Sequence, residues 1–372
     1  MLNILLAVLL IAAFLSVELR AEEPVRPGLR DLGIVIGHFP PGKWNSITDV
    51  SGVTVGHSTI IRGDNVRTGV TAVLPHGGNL FLEKVEGAVE VFNGFGKLTG
   101  STQVNELGQI ETPILLTNTL AVPRVADALI SYMLSLPGME SAVSINPLVA
   151  ETNDWWLNDI RARAVEEKNV FDAIKGAHTG PVEQGSVGAG TGTRCLGYKG
   201  GIGSASRVVD IGGRNYTLGV LVQTNFGGIL TINGVKIGEI GSKDSSERGG
   251  SCIIVVATDA PLDHRNLRRL ARRSFAGMAR AGADFSDGSG DYAIAFTTHP
   301  DFREVPGDNP IPGCRQPLRN SSVSRLFEAC AEATEEAILS SLFKATTVTG
   351  RDGHRIEAMD TEKVKSLLAG KR

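Results

Sequence analysis

The stretch Gly249-Gly250-Ser251-Cys252-Ile253-Ile254-Val255-Val256 constrains the fold more than any other part of the chain. An unbroken apolar, mostly β-branched run behind two glycines reads as a buried strand entered from a turn. Such a strand needs neighbours, and the sequence supplies several. Gly69-Val70-Thr71-Ala72-Val73-Leu74-Pro75, Pro113–Asn118, Ser141–Leu148, Leu218–Asn225 and Tyr292–Phe296 have the same character. Ile47, Val50, Val53 and Val55, broken by Ser51-Gly52, suggest short strands around a turn.

Helical patterns lie between these runs. Val125, Ala128, Leu129, Tyr132 and Met133 recur at helical spacing, with Pro123 in the first turn and Asn118 or Thr119 as cap. Asn153 or Asp154 can cap a helix carrying Trp155, Trp156, Leu157 and Ile160. Asp263 can cap one with Leu267, Leu270, Ala271, Phe275 and Met278 on one face. Its arginines, Arg265, Arg268, Arg269, Arg272 and Arg273, read as a solvated face. A long helix from Ser321 to about Ala345 and a short one capped by Asp360 close the chain. With strands and helices interspersed and no internal repeat, the expected fold is one α/β unit with layered sheets.

The 372 residues include 45 glycines and carry a formal charge of −3, which gives no drive toward nucleic acid or an anionic membrane. Leu2 to Val17 are almost all apolar, fewer than the roughly 20 residues of a spanning helix. They fit the apolar core of a secretory signal cleaved after Ala21, although no Lys or Arg precedes them; an uncleaved anchor is the alternative. Export, to the periplasm, is the expectation. Cys195, Cys252, Cys314 and Cys330 form no CxxC pair. They are expected as buried thiols, with Cys314–Cys330 pairing as the alternative.

Familiar cofactor fingerprints are absent from the sequence. Gly185–Thr193 is dense in glycine but carries neither GK[ST] nor GxGxxG, so close backbone packing is the favoured reading. The seven histidines form no HExxH motif, and no metal is expected; His57 reads as a structural histidine. No GxSxG elbow is present. Ser251 then has two readings. It is either the first residue of a core strand or, after cleavage of the Gly250–Ser251 bond, an N-terminal nucleophile beside its own amine. Ser286-Asp287-Gly288-Ser289-Gly290-Asp291, just ahead of the Tyr292 strand, is either a polar turn or a converging serine and carboxylate.

Taken together, NSITDVSGVTVGHSTI, RTGVTAVLP, ETND with LNDI, GSVGAGTGT, KGGIGSASRVV, YTLGVLVQTNFG, GGSCIIVVATDAPL and GSGDYAIAF resemble the autoprocessing serine aminopeptidases of the DmpA and BapA type. The pieces run in family order from about Gly33 to Thr298. The resemblance implies an αββα sandwich of four layers. It implies self-cleavage into an α chain, 22–250 after a signal at 1–21, and a β chain, 251–372. Four such αβ pairs would assemble. Ser251 would be the nucleophile, Asn225 a donor to the oxyanion, and Ser289 with Asp291 the groups that orient and activate the nucleophile. Glu151 would sit near the substrate's free amine, and Asn153 stands where some members place an assisting tyrosine. The implied substrate is a small peptide, amide or ester that loses its first D-, L- or β-residue, with no cofactor. Two other functions are carried as alternatives. An acyltransferase similar to ornithine acetyltransferase would cut before threonine, which the serine here argues against. A non-catalytic periplasmic binding protein would stay uncut.

Overall fold

The computed structural model describes residues 26–237, 250–305 and 315–370. In chain order its longer strands are β1 (Thr54–Arg62), β2 (Val66–Leu74), β3 (Lys84–Gly94), β4 (Ile114–Asn118), β5 (Leu148–Thr152), β6 (Gly201–Ile211), β7 (Arg214–Asn225), β8 (Gly250–Thr258) and β9 (Ser289–Thr297). Its longer helices are α1 (Val122–Leu134), α2 (Glu167–Lys175), α3 (His264–Ala281) and α4 (Ser324–Lys344). One sheet runs β1-β2-β4-β5 and ends on the short strand Leu98–Thr99. The other runs β6-β7-β8-β9-β3 and ends on short pieces paired with β3. Neighbours are antiparallel except for β4 with β5 and β8 with β9.

The apolar run after Ser251 is continuous because β8 is covered on both faces. Ile253, Val255 and Ala257 join Ile294 and Phe296 in a core shared with Val73, Ile114, Leu116 and Leu148 of the other sheet. Cys252, Ile254 and Val256 face the opposite way, against Leu267, Leu270 and Phe275 of α3 and Ile338 and Leu342 of α4. A third core lies beyond the smaller sheet, where Val70, Ala72, Leu115 and Val149 meet Val125, Leu129 and Met133 of α1 and Val170 and Ile174 of α2. Each fully buried side chain of this size contributes roughly 1.5–3 kcal/mol, so β8 is among the best-supported strands.

The second sheet is bolted to α4 by a buried ionic cluster. Arg207 of β6 is fully buried and bonds Glu332 at 3.2 Å and Glu336 at 2.7 Å. Arg30 bonds Glu336 at 2.7 Å, and Glu332 also accepts from the backbone N–H groups of His38 and Phe39. Burial alone would raise the Glu336 carboxyl, but Arg30 and Arg207 outweigh it and hold it below the usual range.

Several expectations need correction. The strand expected over Ser141–Leu148 begins only at Leu148, and Val143 is fully exposed. Pro147 has no N–H for a ladder bond, so pairing starts after it. The expected helix at Trp155 is a set of turns with one 3₁₀ turn at Ile160–Ala162. Its ring residues are drawn elsewhere: Trp156 stacks on His354 at 4.0 Å, and Arg351 lies over Trp155. The first strand expected around Ile47 is a 3₁₀ turn, Ile47–Asp49, closed by a Ser46–Asp49 capping box. Asp263 and Asp360 cap as expected, accepting from Asn266 N and Lys363 N. Asn118 accepts from Ala121 N, one turn ahead of α1. On α3, Arg268 and Arg272 pair with Glu90 while Arg269 and Arg273 cover Phe327, so this face is partly engaged by the chain itself. Cys195, Cys252 and Cys330 are buried free thiols; Cys314 and the 1–21 segment lie outside the described residues. Among the described residues no helix is long and apolar enough to cross a membrane.

Candidate active site

Ser251 sits at the start of β8, in the middle of the larger sheet. Asn225 is opposite it at the end of β7, and Gly290 is opposite it on β9. The same register sets Gly250 against Ser289 and Cys252 against Asp291. Residues far apart in sequence therefore meet at one sheet end because three strands begin or finish there together. Ser251 is 5% exposed, and its Oγ accepts from Gly290 N–H at 3.2 Å. Strand alternation directs Ser251 to the Ile253 side, between the sheets. Ser289 and Asp291 take the opposite side, flanking the backbone of Gly250 and Ser251.

Gly250 has φ +147°, and a Cβ there would lie 2.2 Å from Asn225 O and 2.6 Å from Phe226 Cα. Only glycine fits this backbone beside so close a neighbouring strand. Ser289 donates to Asp291 Oδ1 at 2.8 Å, and Asn93 Nδ2 donates to Oδ2 at 3.2 Å. Burial pushes the Asp291 carboxyl up to about 6, against the pull of Ser289, Asn93 and the Cys252 N–H. Burial also holds the Cys252 thiol well above its ordinary value, with Asp291 adding to it, so Cys252 is no rival nucleophile.

The amide of Asn225 is oriented by two bonds. Its Oδ1 accepts from Arg194 N at 3.1 Å, and its Nδ2 donates to Asn153 O at 3.0 Å. One N–H of that amide remains for a further acceptor. Asn153 thus contributes its carbonyl, while its side chain turns to accept from Trp155 N at 3.1 Å and is exposed.

Glu151 comes from β5 of the other sheet and is buried. Lys97 N–H donates to Oε1 at 3.0 Å, and the Thr119 hydroxyl donates to Oε2. Burial lifts its carboxyl above the usual range, opposed by Thr119 and Lys97. Gln223, fully buried on β7, directs Nε2 to Thr117 O, Thr152 Oγ1 and Ala189 O, all within 3.0 Å. It ties the Glu151 end of one sheet to the Asn225 end of the other. The Gly185–Thr193 stretch packs in the same region: a Cβ on Gly190 would lie 2.4 Å from Ile202 N.

Sequence reasoning missed Asn93, Gly96, Lys97, Thr119 and the Gly290 N–H. The run Asn93-Gly94-Phe95-Gly96-Lys97, two glycines in a turn directly after a strand, was the signal available for three of them. His57 is a half-buried histidine bonded to Thr71, its pKa lowered by desolvation to about 4. Among the described residues, the group of donors close enough to share a cation is His38, Glu328 and Glu332, of which Glu332 is already held by Arg207.

Known proteins share this fold. The chain is 39% identical to a β-peptidyl aminopeptidase BapA from Sphingosinicella microcystinivorans, over 92% of each chain. The solved structure of the PH0078 protein from Pyrococcus horikoshii is 46% identical and superposes with a TM-score of 0.87, covering 93% of this chain and 99% of that one. The L-aminopeptidase D-Ala-esterase/amidase from Ochrobactrum anthropi, described as a prototype of the serine aminopeptidases and a variant of the Ntn hydrolase fold, is 35% identical. It has a TM-score of 0.87 over 93% of this chain and 99% of its own. The model of peptidase family S58 matches residues 45–356. The chain therefore belongs to peptidase family S58 and is a serine aminopeptidase of the N-terminal-nucleophile type.

Proposed function

We propose that the precursor cuts itself between Gly250 and Ser251 and then releases small N-terminal D-, L- or β-amino acids from peptides, amides or esters through a Ser251 acyl-enzyme. The observation that carries this reading is the placement of Ser251 at a strand start between Asn225 and the Ser289–Asp291 pair. Helices, sheet, sheet and helices then form an αββα sandwich of four layers, made of an α chain ending at Gly250 and a β chain starting at Ser251. We further propose an exported, periplasmic protein, its signal ending near Ala21, assembled from four αβ pairs.

In the precursor, Ser251 Oγ attacks the Gly250 carbonyl carbon. The C–N bond breaks, its nitrogen takes the hydroxyl proton, and an ester joins Gly250 to Oγ. Water hydrolyses the ester, freeing the Gly250 carboxylate and the Ser251 hydroxyl beside the amine released in the first step. That amine has a reference pKa of about 8 and can act as a base near neutral pH. In turnover it takes the Oγ proton directly, while the Ser289 hydroxyl, fixed by Asp291 on the other side of the ladder, orients that amine. Oγ attacks the substrate carbonyl, the leaving amine departs with the proton, and water then releases the acyl group. The free N–H of Asn225 stabilises the oxyanion. Glu151 pairs with the substrate ammonium, which confines cleavage to the first residue. The acyltransferase alternative requires threonine at the cut, and no observation favours it over Ser251.

The test is a panel of D-Ala, L-Ala and β-Ala p-nitroanilides, free and N-acetylated, with the parent and Ser251→Ala. Release from free but not acetylated substrates, abolished in the variant, is expected. Full activity in Ser251→Ala overturns the proposal.

A further inference from the structure

Glu151 and Ser251 lie on different sheets, and one short turn touches the surroundings of both. It is Gly94–Lys97, which follows β3. At one end Phe95 N–H donates to Ser289 O at 3.1 Å. A Cβ on Gly290 would lie 2.7 Å from Phe95 O. The turn thus rests on the two residues that face Gly250 and Ser251 across the ladder. At the other end Lys97 N–H holds Glu151 Oε1 at 3.0 Å. Gly96 lies between. A Cβ there would stand 2.8 Å from Tyr292 Cε2, 3.0 Å from its hydroxyl and 3.3 Å from Glu151 Oε1. The Tyr292 ring is buried in the inter-sheet core and cannot swing aside freely. Thr119, half-buried after β4, holds the second oxygen of Glu151 from outside the turn.

We propose that the Gly94–Lys97 turn is a spacer that sets the reach from Glu151 to Ser251 and so selects between α- and β-aminoacyl substrates. This rests on the reading above, in which Glu151 binds the amine and Ser251 attacks. The two substrate classes differ by one backbone carbon between amine and scissile carbonyl. A receptor fixed at both ends favours one of those lengths. Gly96 keeps the acid close, because nothing stands between the turn and the carboxylate. A methyl group at 96 pushes Glu151 away while Phe95 stays tied to Ser289, which lengthens the reach and favours the longer substrate. Loss of the Thr119 hydroxyl leaves Glu151 held by Lys97 alone. The acid then draws toward the turn and favours the shorter substrate. Gly96 and Thr119 are positioning residues; they act through Glu151.

The experiment measures kcat/KM for β-Ala and L-Ala p-nitroanilides with the parent, Gly96→Ala, Thr119→Val and Thr119→Ser. Gly96→Ala should raise the β-to-α ratio by about fivefold or more, and Thr119→Val should lower it by about threefold or more. Thr119→Ser, which keeps the hydroxyl, should retain the parental ratio. The Thr119 pair alone decides the matter if Gly96→Ala does not fold. A loss equal for both substrates, with the parental ratio kept in Gly96→Ala and Thr119→Val, overturns the spacer and leaves the active-site reading intact. So does a shift of Gly96→Ala toward L-Ala. A parent that cleaves N-acetylated substrates as fast as free ones overturns both.

Discussion

Gly250→Ala is the perturbation whose effect follows most directly from the backbone. In place of glycine, the new Cβ would lie 2.2 Å from Asn225 O, where ordinary contact begins at 3.4 Å. The obstacle is main chain of the adjacent strand, so a side-chain rotation cannot relieve it. Parting β7 from β8 disturbs the pair that carries Asn225 and Ser251. The backbone also sits at φ +147°, which costs a non-glycine residue about 1–3 kcal/mol. Overpacking adds about 1–3 kcal/mol more, for a total of roughly 2–6 kcal/mol. The measurement is urea unfolding of Ser251→Ala, which the proposed mechanism leaves uncut, against Gly250→Ala/Ser251→Ala. The double variant should lose stability in that range, and Gly250→Ala alone should process slowly or not at all because its carbonyl is displaced from Oγ. Equal stability of the two uncut proteins, within about 0.5 kcal/mol, would refute the reasoning.

Other outcomes follow from the same geometry. Asn225→Ala should lower kcat by about 10²–10³ with little change in KM, as expected for a donor used in the transition state; steady-state kinetics on the β-Ala anilide checks this. Asp291 should give an acid limb in kcat/KM near pH 6, since its two oxygens accept from Ser289 and Asn93 and a proton on either one displaces a donor. The sign for stability is opposite: a raised carboxyl pKa contributes stability fully present below the unfolded value of about 4 and lost as pH rises through about 6. Arg207→Ala should cost about 3–5 kcal/mol in urea unfolding, because Glu332 and Glu336 stay buried and lose the guanidinium they share, with Arg30 left to Glu336 alone. In the proposed cut form it should also loosen the two halves, since Arg207 precedes the Gly250–Ser251 bond and both glutamates follow it.

The sheet centre was legible because burial on two faces leaves a continuous apolar run, as in Cys252–Val256. Ser251, Asn225, Ser289 and Asp291 were legible because each stands at a strand end beside glycine or a polar turn. Asn153 was singled out only by the resemblance, and its contact with Asn225 through a backbone carbonyl leaves no mark in residue type. Lys97 and Gly290 act through backbone N–H groups, which leave no mark in residue type. Thr119 was read only as a possible helix cap, although its hydroxyl serves Glu151. The Trp155 helix failed because ring stacking with His354, nearly two hundred residues on, outweighed local capping. Long-range contacts of that kind are invisible to a local pattern.

The central claim is that Ser251 becomes a chain terminus. Intact-mass measurement and N-terminal sequencing of the purified protein test it. The account predicts two fragments, the smaller beginning Ser-Cys-Ile-Ile-Val, and a single uncut chain for Ser251→Ala. An active protein with one intact chain across residues 250 and 251 would contradict it.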